Sequence, residues 1–543
     1  MTTEKKCVVI SVGSHRTVAG FNNVDLPQCC IPSSYLRVKP EEDVEMEDGD
    51  AQEHNYVFGT FEMIDGVQEA LKKQDNNTEE SKCDVFTIVD SQGLPYNWQA
   101  MEMLFRHIYD KELKVDPSEL PLVITLPSMT NREIETKIVE NYMELAFEKL
   151  KVPVLQIVVE PLGTMLSTGK SSSLVIDIGA SGCTITPIID GTILRNCIVK
   201  SRYAGDFLDF QVSKKLEELK NKINKNDDNE DIMGTEAEQN SEQQLSSLEV
   251  WLNANTSIHE FKSTMLSLFD KDLKEVEKYY EEQMKLYKQQ QEKLAEQQNN
   301  PQAQHLQQYT IPMNNPNINN PLVQRLNYLL RYNQHSRKIQ RTVELENKEL
   351  LEISEYLFQP RLASEQFSNK DGLGELIGKA IKKSGASVNA NSTATGNNTT
   401  NGGTNTAPSN ATNSNNSASS GPLFLLNGYS SIGLGSSTGA PGAGDAASST
   451  NITPEHVYSL LLTNVIITGG TSLIEGMEQR IIRELSVRFP QYKLSTFSNP
   501  DQLQRSIQAW NGAVSLSNLP KWELTQWYTK EDYNNHKLKK DEI

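Results

Sequence analysis

The sequence predicts an α/β fold of two or more lobes, with buried sheets covered by helices, and three observations carry that prediction. The chain has 543 residues, too many for one compact core. Six apolar, β-branched runs have strand length: CVVISVG, PLVITLP, VLQIVVEP, SLVIDIG, CTITPII and NVIITGG. Helical patterns such as NREIETKIVENYMELAFEKL and SLIEGMEQRIIRELSVRF lie between them, the alternation expected where helices cover sheets.

Composition narrows the function. Hydrophobic residues make up 37% of the chain and mean hydropathy is −0.52, which predicts a core diluted by polar segments that do not pack. No apolar run approaches the roughly 18 residues of a membrane helix, and the N-terminus lacks a signal-peptide pattern. A membrane or secreted protein is therefore not expected. Lys and Arg total 52 against 71 Asp and Glu, a net charge of −19. That field repels phosphate backbones, so direct nucleic-acid binding by this chain alone is not expected. Cys7, Cys29, Cys30, Cys83, Cys183 and Cys197 have no zinc-site spacing and read as small buried hydrophobes. The eight histidines are dispersed and form no HExxH. No metal site is predicted.

Four stretches read as insertions. Pro40 to His54 is a dense acidic run, and Asn221 to Gln244 is Asn-, Asp-, Glu- and Gln-rich; both should stay solvated. Within Lys271 to Gln308, Leu273, Val276, Tyr280, Tyr287 and Leu294 fall near heptad spacing and predict an amphipathic helix. Gly385 to Asn451 is Asn, Ser, Thr, Gly and Ala with one charged residue, Asp445, and cannot bury enough apolar surface to offset its ordering entropy. Its apolar patch Pro422 to Tyr429 reads as passive linker or as docking peptide. Gly435 to Gly439 formally matches GxSxG but lacks the flanking strand and helix that motif needs.

Three glycine-bearing turns follow strands. Cys7 to Val12, the turn Gly13-Ser14 and the return Thr17 to Phe21 form the first hairpin. Leu174 to Ile178, the turn Gly179 to Gly182 and Cys183 to Ile189 form the second, and Asp190-Gly191 sends the chain into a third strand, Thr192 to Val199. The third turn, Thr468-Gly469-Gly470-Thr471-Ser472, follows strand Asn464 to Ile467 and opens a helix. Such turns let backbone N–H groups approach phosphate oxygens.

In this order, the turns resemble the two-lobed ATP clamp of the actin, Hsp70 and sugar-kinase superfamily. The nearer likeness is to actin, through GSHRTVAGF, QGLPYNWQAMEMLFRHIYDKEL, SEYLFQP, TNVIITGGTSLIEGMEQRIIREL and WYTKEDY. The resemblance implies duplicated ribonuclease-H-like domains with disordered insertions. Residues 1–167 plus 506–543 would form the first lobe, its outer part at about 35–90, and 168–505 the second, its outer part at about 204–365.

The departures from that pattern bear on chemistry. Conventional actins place Asp where this chain has Ser11, and a phosphate-reaching Lys where it has Val18. Asp177 is retained, but a second carboxylate is replaced by Ala180, a histidine near the attacking water by Thr184, and a water-positioning glutamine by Glu160. Magnesium is normally held by one or two carboxylates plus substrate phosphates, and phosphoryl transfer depends on such positioned charge. No catalytic residue is assigned and hydrolysis is not expected. The positions left for nucleotide contact are Gly13, Ser14, Asp177, Gly179, Gly469, Gly470 and Thr471, with Lys262 aligned to a lysine that flanks the adenine. Two outcomes stay open: ATP bound as an unhydrolysed link between lobes, or an empty cleft held shut by partners.

The acidic and polar insertions fall where actin protomers grip one another, so no filament is expected. Blocks such as VDSQGLPYNW, VIDIGASGC, GDFLDFQV and FKSTML are most similar to actin-related subunits of the yeast SWI/SNF and RSC chromatin remodellers. That resemblance implies a nuclear, non-catalytic scaffold, paired with a second actin-related protein on a long helix of the motor ATPase. The groove that accepts such a helix maps to Leu166, Gly169, Ser171, Leu516 and Leu519, with the leucines equally readable as core. A weak ATPase or kinase of the same superfamily is the alternative.

Overall fold

A computed structural model describes residues 6–38, 55–75, 83–228, 246–298, 314–334, 337–394, 453–519 and 527–541. In chain order its strands are β1 (Val8–Val12), β2 (Arg16–Phe21), β3 (Cys29–Pro32), β4 (Ser34–Val38), β5 (Asn55–Val57), β6 (Cys83–Thr87), β7 (Leu122–Leu126) and β8 (Val154–Val159). There follow β9 (Ser173–Ile178), β10 (Cys183–Ile189), β11 (Thr192–Ile193), β12 (Val199–Ser201), β13 (Arg325–Gln334), β14 (Arg337–Glu346), β15 (Val465–Thr468), β16 (Thr496–Ser498) and β17 (Trp527–Thr529).

Two six-stranded sheets repeat one pattern. The first has the order β17-β8-β7-β1-β2-β3; the second runs β11-β10-β9-β15-β16, with β12 also on β10. In the first, β1 lies antiparallel to β2 and parallel to β7, and β7 lies parallel to β8. In the second, β9 lies antiparallel to β10 and parallel to β15, and β15 lies parallel to β16. This duplication is the predicted α/β clamp. The VVISV and LVITL strands are buried at every residue, as strands covered on both faces must be. Among the described residues, no helix is long and apolar enough to cross a membrane.

Helices Glu160–Ser167 and Gln508–Ser517 cross between the sheets at a pair of glycines. A Cβ on Gly512 would lie 2.4 Å from the Gly163 carbonyl carbon, so only a residue without a side chain permits this approach. Above the cleft, the outer parts meet. Leu248 and Trp251 of helix Ser247–Asn255 share an apolar cluster with Leu36, Met63 and Val67 beside the small β5-β4-β6 sheet.

Several sequence expectations need correction. The predicted strand Thr192 to Val199 is two short strands around a 3-10 turn, Arg195–Cys197. Leaving the sheet there lets the Arg195 guanidinium bond both carboxylate oxygens of Glu135 and the Met129 carbonyl. The turn after β15 opens a 3-10 turn, Gly470–Leu473, and the α-helix begins only at Met477. Helix Gly205–Asp228 carries the first residues of the Asn221 to Gln244 stretch, and helix Leu373–Ala394 carries those of Gly385 to Asn451. Gly385 lies in that helix against Tyr458; a Cβ would sit 2.6 Å from its ring. The amphipathic helix is Leu273–Gln298, and Leu273, Val276 and Tyr280 pack on Leu322 and Leu351. Cys30 is exposed where β3 alternation turns it outward, while Cys29 is buried. Pro40 to His54, Pro422 to Tyr429 and Gly435 to Gly439 lie outside the described residues.

Candidate functional site

Gly13, Ser14, Asp177, Gly179, Lys262, Gly469, Gly470 and Thr471 come together around one cavity of about 1160 Å³ between the two sheets. The two hairpins reach each other directly: the Ser181 N–H donates to Ser14 Oγ at 3.1 Å. The amides of Gly13 and Gly179 close their own turns on Arg16 O (3.1 Å) and Gly182 O (3.0 Å), so they do not point outward as phosphate donors. The third turn is fastened to the second by Thr471 Oγ1, which donates to Gly179 O at 2.7 Å. Gly469 adopts φ +92, and a Cβ there would lie 2.4 Å from both Asp177 Oδ1 and Ile178 O. Glycine is obligatory at that contact.

The floor carries the positions at which the resemblance placed catalysis. Thr125 Oγ1 lies 2.9 Å from Ser11 Oγ and 3.0 Å from Glu160 Oε1. Val18 packs in an apolar cluster with Cys7, Val9 and Trp510 and also borders the cavity, so the wall is apolar at that position. Ala180 offers only backbone, its carbonyl accepting from Asp206 N at 2.8 Å. Asp177, Thr184 and Lys200 are successive cross-strand partners on β9, β10 and β12, so their side chains share one sheet face. Burial, with Asp177 nearby, pushes the Glu160 carboxyl up to about 7. Burial pushes Asp177 up to about 6, against the pull of Lys200.

At the mouth, Lys262 pairs with Asp209 and donates to Gly205 O at 3.2 Å. Its ammonium is thus engaged within its own half of the molecule. The His15 and His259 rings face each other with centroids 6.3 Å apart and an interplanar angle of 22°.

The residues assigned to a helix-accepting groove divide. Gly169 (φ +71) and Ser171 are exposed, Leu166 is half-buried and Leu519 is 38% exposed. Leu516 is not a groove residue: at 2% exposure it belongs to the core cluster on which Leu166 also packs. The turn of helix Gln508–Ser517 points it inward.

A family model described as Actin matches residues 2–405 and 414–539. The chain belongs to the actin family. It is 49% identical to Actin-related protein 7 of Saccharomyces cerevisiae over 544 aligned positions, 100% of this chain and 98% of that protein. It is 32% identical over 134 residues to the SWI/SNF and RSC complexes subunit arp42 of Schizosaccharomyces pombe, covering 25% of this chain and 30% of that protein. To Actin-related protein 4 of Yarrowia lipolytica it is 29% identical over 213 residues, 39% of this chain and 45% of that protein.

For an actin-family cleft, the fit to a nucleotide and the fit to its metal differ. The glycine-lined turns leave space, with nothing within 4 Å of a Cβ on Gly470. The buried Gln508 Oε1, also on the cavity wall, has no hydrogen-bond partner, a polar atom open to a ligand. A metal ion fits less well: the floor carboxyls, Asp177 and Glu160, are both pushed toward the protonated form by burial, and magnesium on a nucleotide needs one or two ionised carboxylates.

Sequence reasoning missed Arg16, Lys200, His15, His259 and Gln508 as cavity residues. Strand alternation could have found Arg16, two residues before Val18 on the same face. Nothing local marks the histidines, which meet only because the fold brings together positions 244 residues apart.

Proposed function

We propose that this chain is a non-catalytic, actin-related scaffold subunit of a nuclear ATP-dependent chromatin-remodelling complex. In this reading it holds a helix of the motor ATPase together with a second actin-related protein, and it forms no filament. The observation that carries the proposal is the 49% identity, over the whole chain, to Actin-related protein 7. The arp42 relative, whose name places it in SWI/SNF and RSC complexes, supports the same assignment. Actin-family clefts generally bind ATP, and here the nucleotide would link the two halves of the molecule without being cleaved. That part rests on the missing floor groups: Ser11, Val18, Ala180 and Thr184 offer neither carboxylate nor cation nor imidazole. Leu166 and Leu519 are the apolar positions a partner helix can reach.

The decisive experiment is affinity purification of the tagged chain from nuclear extract, with stoichiometry by mass spectrometry. Recovery of a remodelling motor and a second actin-related protein at about one to one supports the proposal. Recovery alone, or with cytoskeletal proteins, sinks it. One observation favours a second reading, a slow ATPase: Glu160 titrates near about 7 and sits where a general base could act. Phosphate release above a Glu160→Ala control would establish that reading.

A further inference from the structure

Four basic side chains line the mouth of the cleft. His15 follows Ser14 at the tip of the first hairpin, and Arg16 opens β2. His259 and Lys262 stand three residues apart on helix Ser257–Met265, on neighbouring positions of one face. All four border the cavity, and the two imidazoles meet across it. Arg16 and Val18 share a face of β2, opposite Pro32 and Cys30 on β3, and Arg16, Val18 and Cys30 all border the cavity. The cation absent at Val18 therefore stands one pleat nearer the hairpin tip, a shift of about 6–7 Å. Among the described residues, Arg16 makes no ion pair, whereas Lys262 is paired with Asp209.

The phosphate chain of a nucleotide is a dense anion that magnesium usually neutralises in such sites. The floor offers this ion only Asp177 and Glu160, both pushed toward the protonated form by burial, while the mouth holds Arg16, free of any ion pair among the described residues. We propose that Arg16, with His15 and His259 as imidazoles that take up protons on binding, forms a metal-independent receptor for a nucleotide's phosphate chain, with protein cations standing in for magnesium. This rests on reading the cleft as a nucleotide site.

The receptor also takes up protons. Burial first, then Arg16, Lys262 and His259, push the His15 imidazole down to about 4. Burial, Arg16 and Lys262 push His259 down as well, with Asp209 pulling the other way. The charged groups facing the pair are thus Arg16 on the hairpin, Lys262 on the helix of His259, and Asp209 with its neighbour Asp206 on helix Gly205–Asp228. A phosphate chain beside the rings adds negative charge at close range and raises both imidazole values. Affinity then rises as pH falls.

The test is calorimetric titration of ATP into the full chain, in EDTA and in magnesium, at about pH 6 and about pH 8. The expected dissociation constant in EDTA lies within about threefold of that in magnesium, and is about fivefold or more tighter at the lower pH. Arg16→Gln should weaken ATP in EDTA about tenfold or more, leaving adenosine binding unchanged. His259→Asn, at an exposed helix position, repeats the comparison without touching the hairpin. ATP binding in magnesium that weakens more than about tenfold in EDTA overturns the receptor but leaves the nucleotide site standing. No ATP binding in either medium overturns the nucleotide site itself, and the receptor with it.

Discussion

Trp251 donates its indole N–H to Ser34 Oγ at 2.7 Å, joining residues 217 apart in sequence across the top of the cleft. The indole is 8% exposed, and its ring packs in the cluster that holds Leu36, Met63 and Val67. Closure over the cavity thus has an apolar and a polar component, both made by this chain alone.

Truncating that ring tests the closure. Trp251→Ala should cost about 3–5 kcal/mol, the range for removing a large buried aromatic. Ser34→Ala, which removes only the hydrogen-bond acceptor, should cost about 1 kcal/mol. Chemical denaturation checks the sizes. Amide exchange should report faster opening of β4 and helix Ser247–Asn255 than of β9, and equal acceleration everywhere would count against a local latch.

The crossing of Gly163 and Gly512 makes a second prediction. A methyl group on Gly512 meets the opposing backbone at 2.4 Å, far inside contact distance. Gly512→Ala should therefore destabilise the chain by about 1–3 kcal/mol by forcing helices Glu160–Ser167 and Gln508–Ser517 apart. A urea midpoint equal to the parent's would show that the crossing has slack.

Glu160 sets a pH dependence. With its native value near about 7 and Asp177 near about 6, the folded chain keeps protons that the unfolded chain sheds from about pH 4 upward. These carboxyls therefore lower stability as pH rises from about 4 to 7. Glu160→Gln removes one such group, so stability at neutral pH should rise by about 1–3 kcal/mol and the slope across that window should flatten. Thermal melts of parent and variant at several pH values decide it, and an unchanged slope would place the titration elsewhere.

The two leucines of helix Gln508–Ser517 and the turn after it separate docking from folding. Leu519→Asp adds a charge at a half-exposed site and should change stability by no more than about 0.5 kcal/mol, while weakening capture of a partner helix. Leu516→Asp puts a carboxylate into the core and should unfold the chain or cost several kcal/mol. Soluble, folded Leu519→Asp that retains the motor at parental stoichiometry would remove this surface from the docking site.

The three turns were legible because each combines a β-branched strand with local glycine chemistry. Asp177, Gly179 and Gly469 could be placed from their immediate neighbours. The limits of the polar stretches were less legible, since composition does not record a helix that continues because one face is packed. Gly385 shows this: it reads as linker, yet its lack of a side chain seats helix Leu373–Ala394 against Tyr458. Leu516 and Leu519, three residues apart and chemically alike, could not be told apart without the helix and its turn. Val18 reads as a missing cation in sequence, but in the fold it is a core residue with Arg16 one pleat away.

By itself the sequence determined the α/β class, the order of the hairpins and membership in the actin family. These follow from strand periodicity and turn residues, which act over a few neighbouring positions. Only the tertiary structure decided which residues share the cleft: Ser14 with Ser181, His15 with His259, Ser34 with Trp251. Each pair joins residues more than 150 positions apart, and no local propensity specifies them. They form because the two sheets bury their apolar faces against the helices that cross at Gly163 and Gly512.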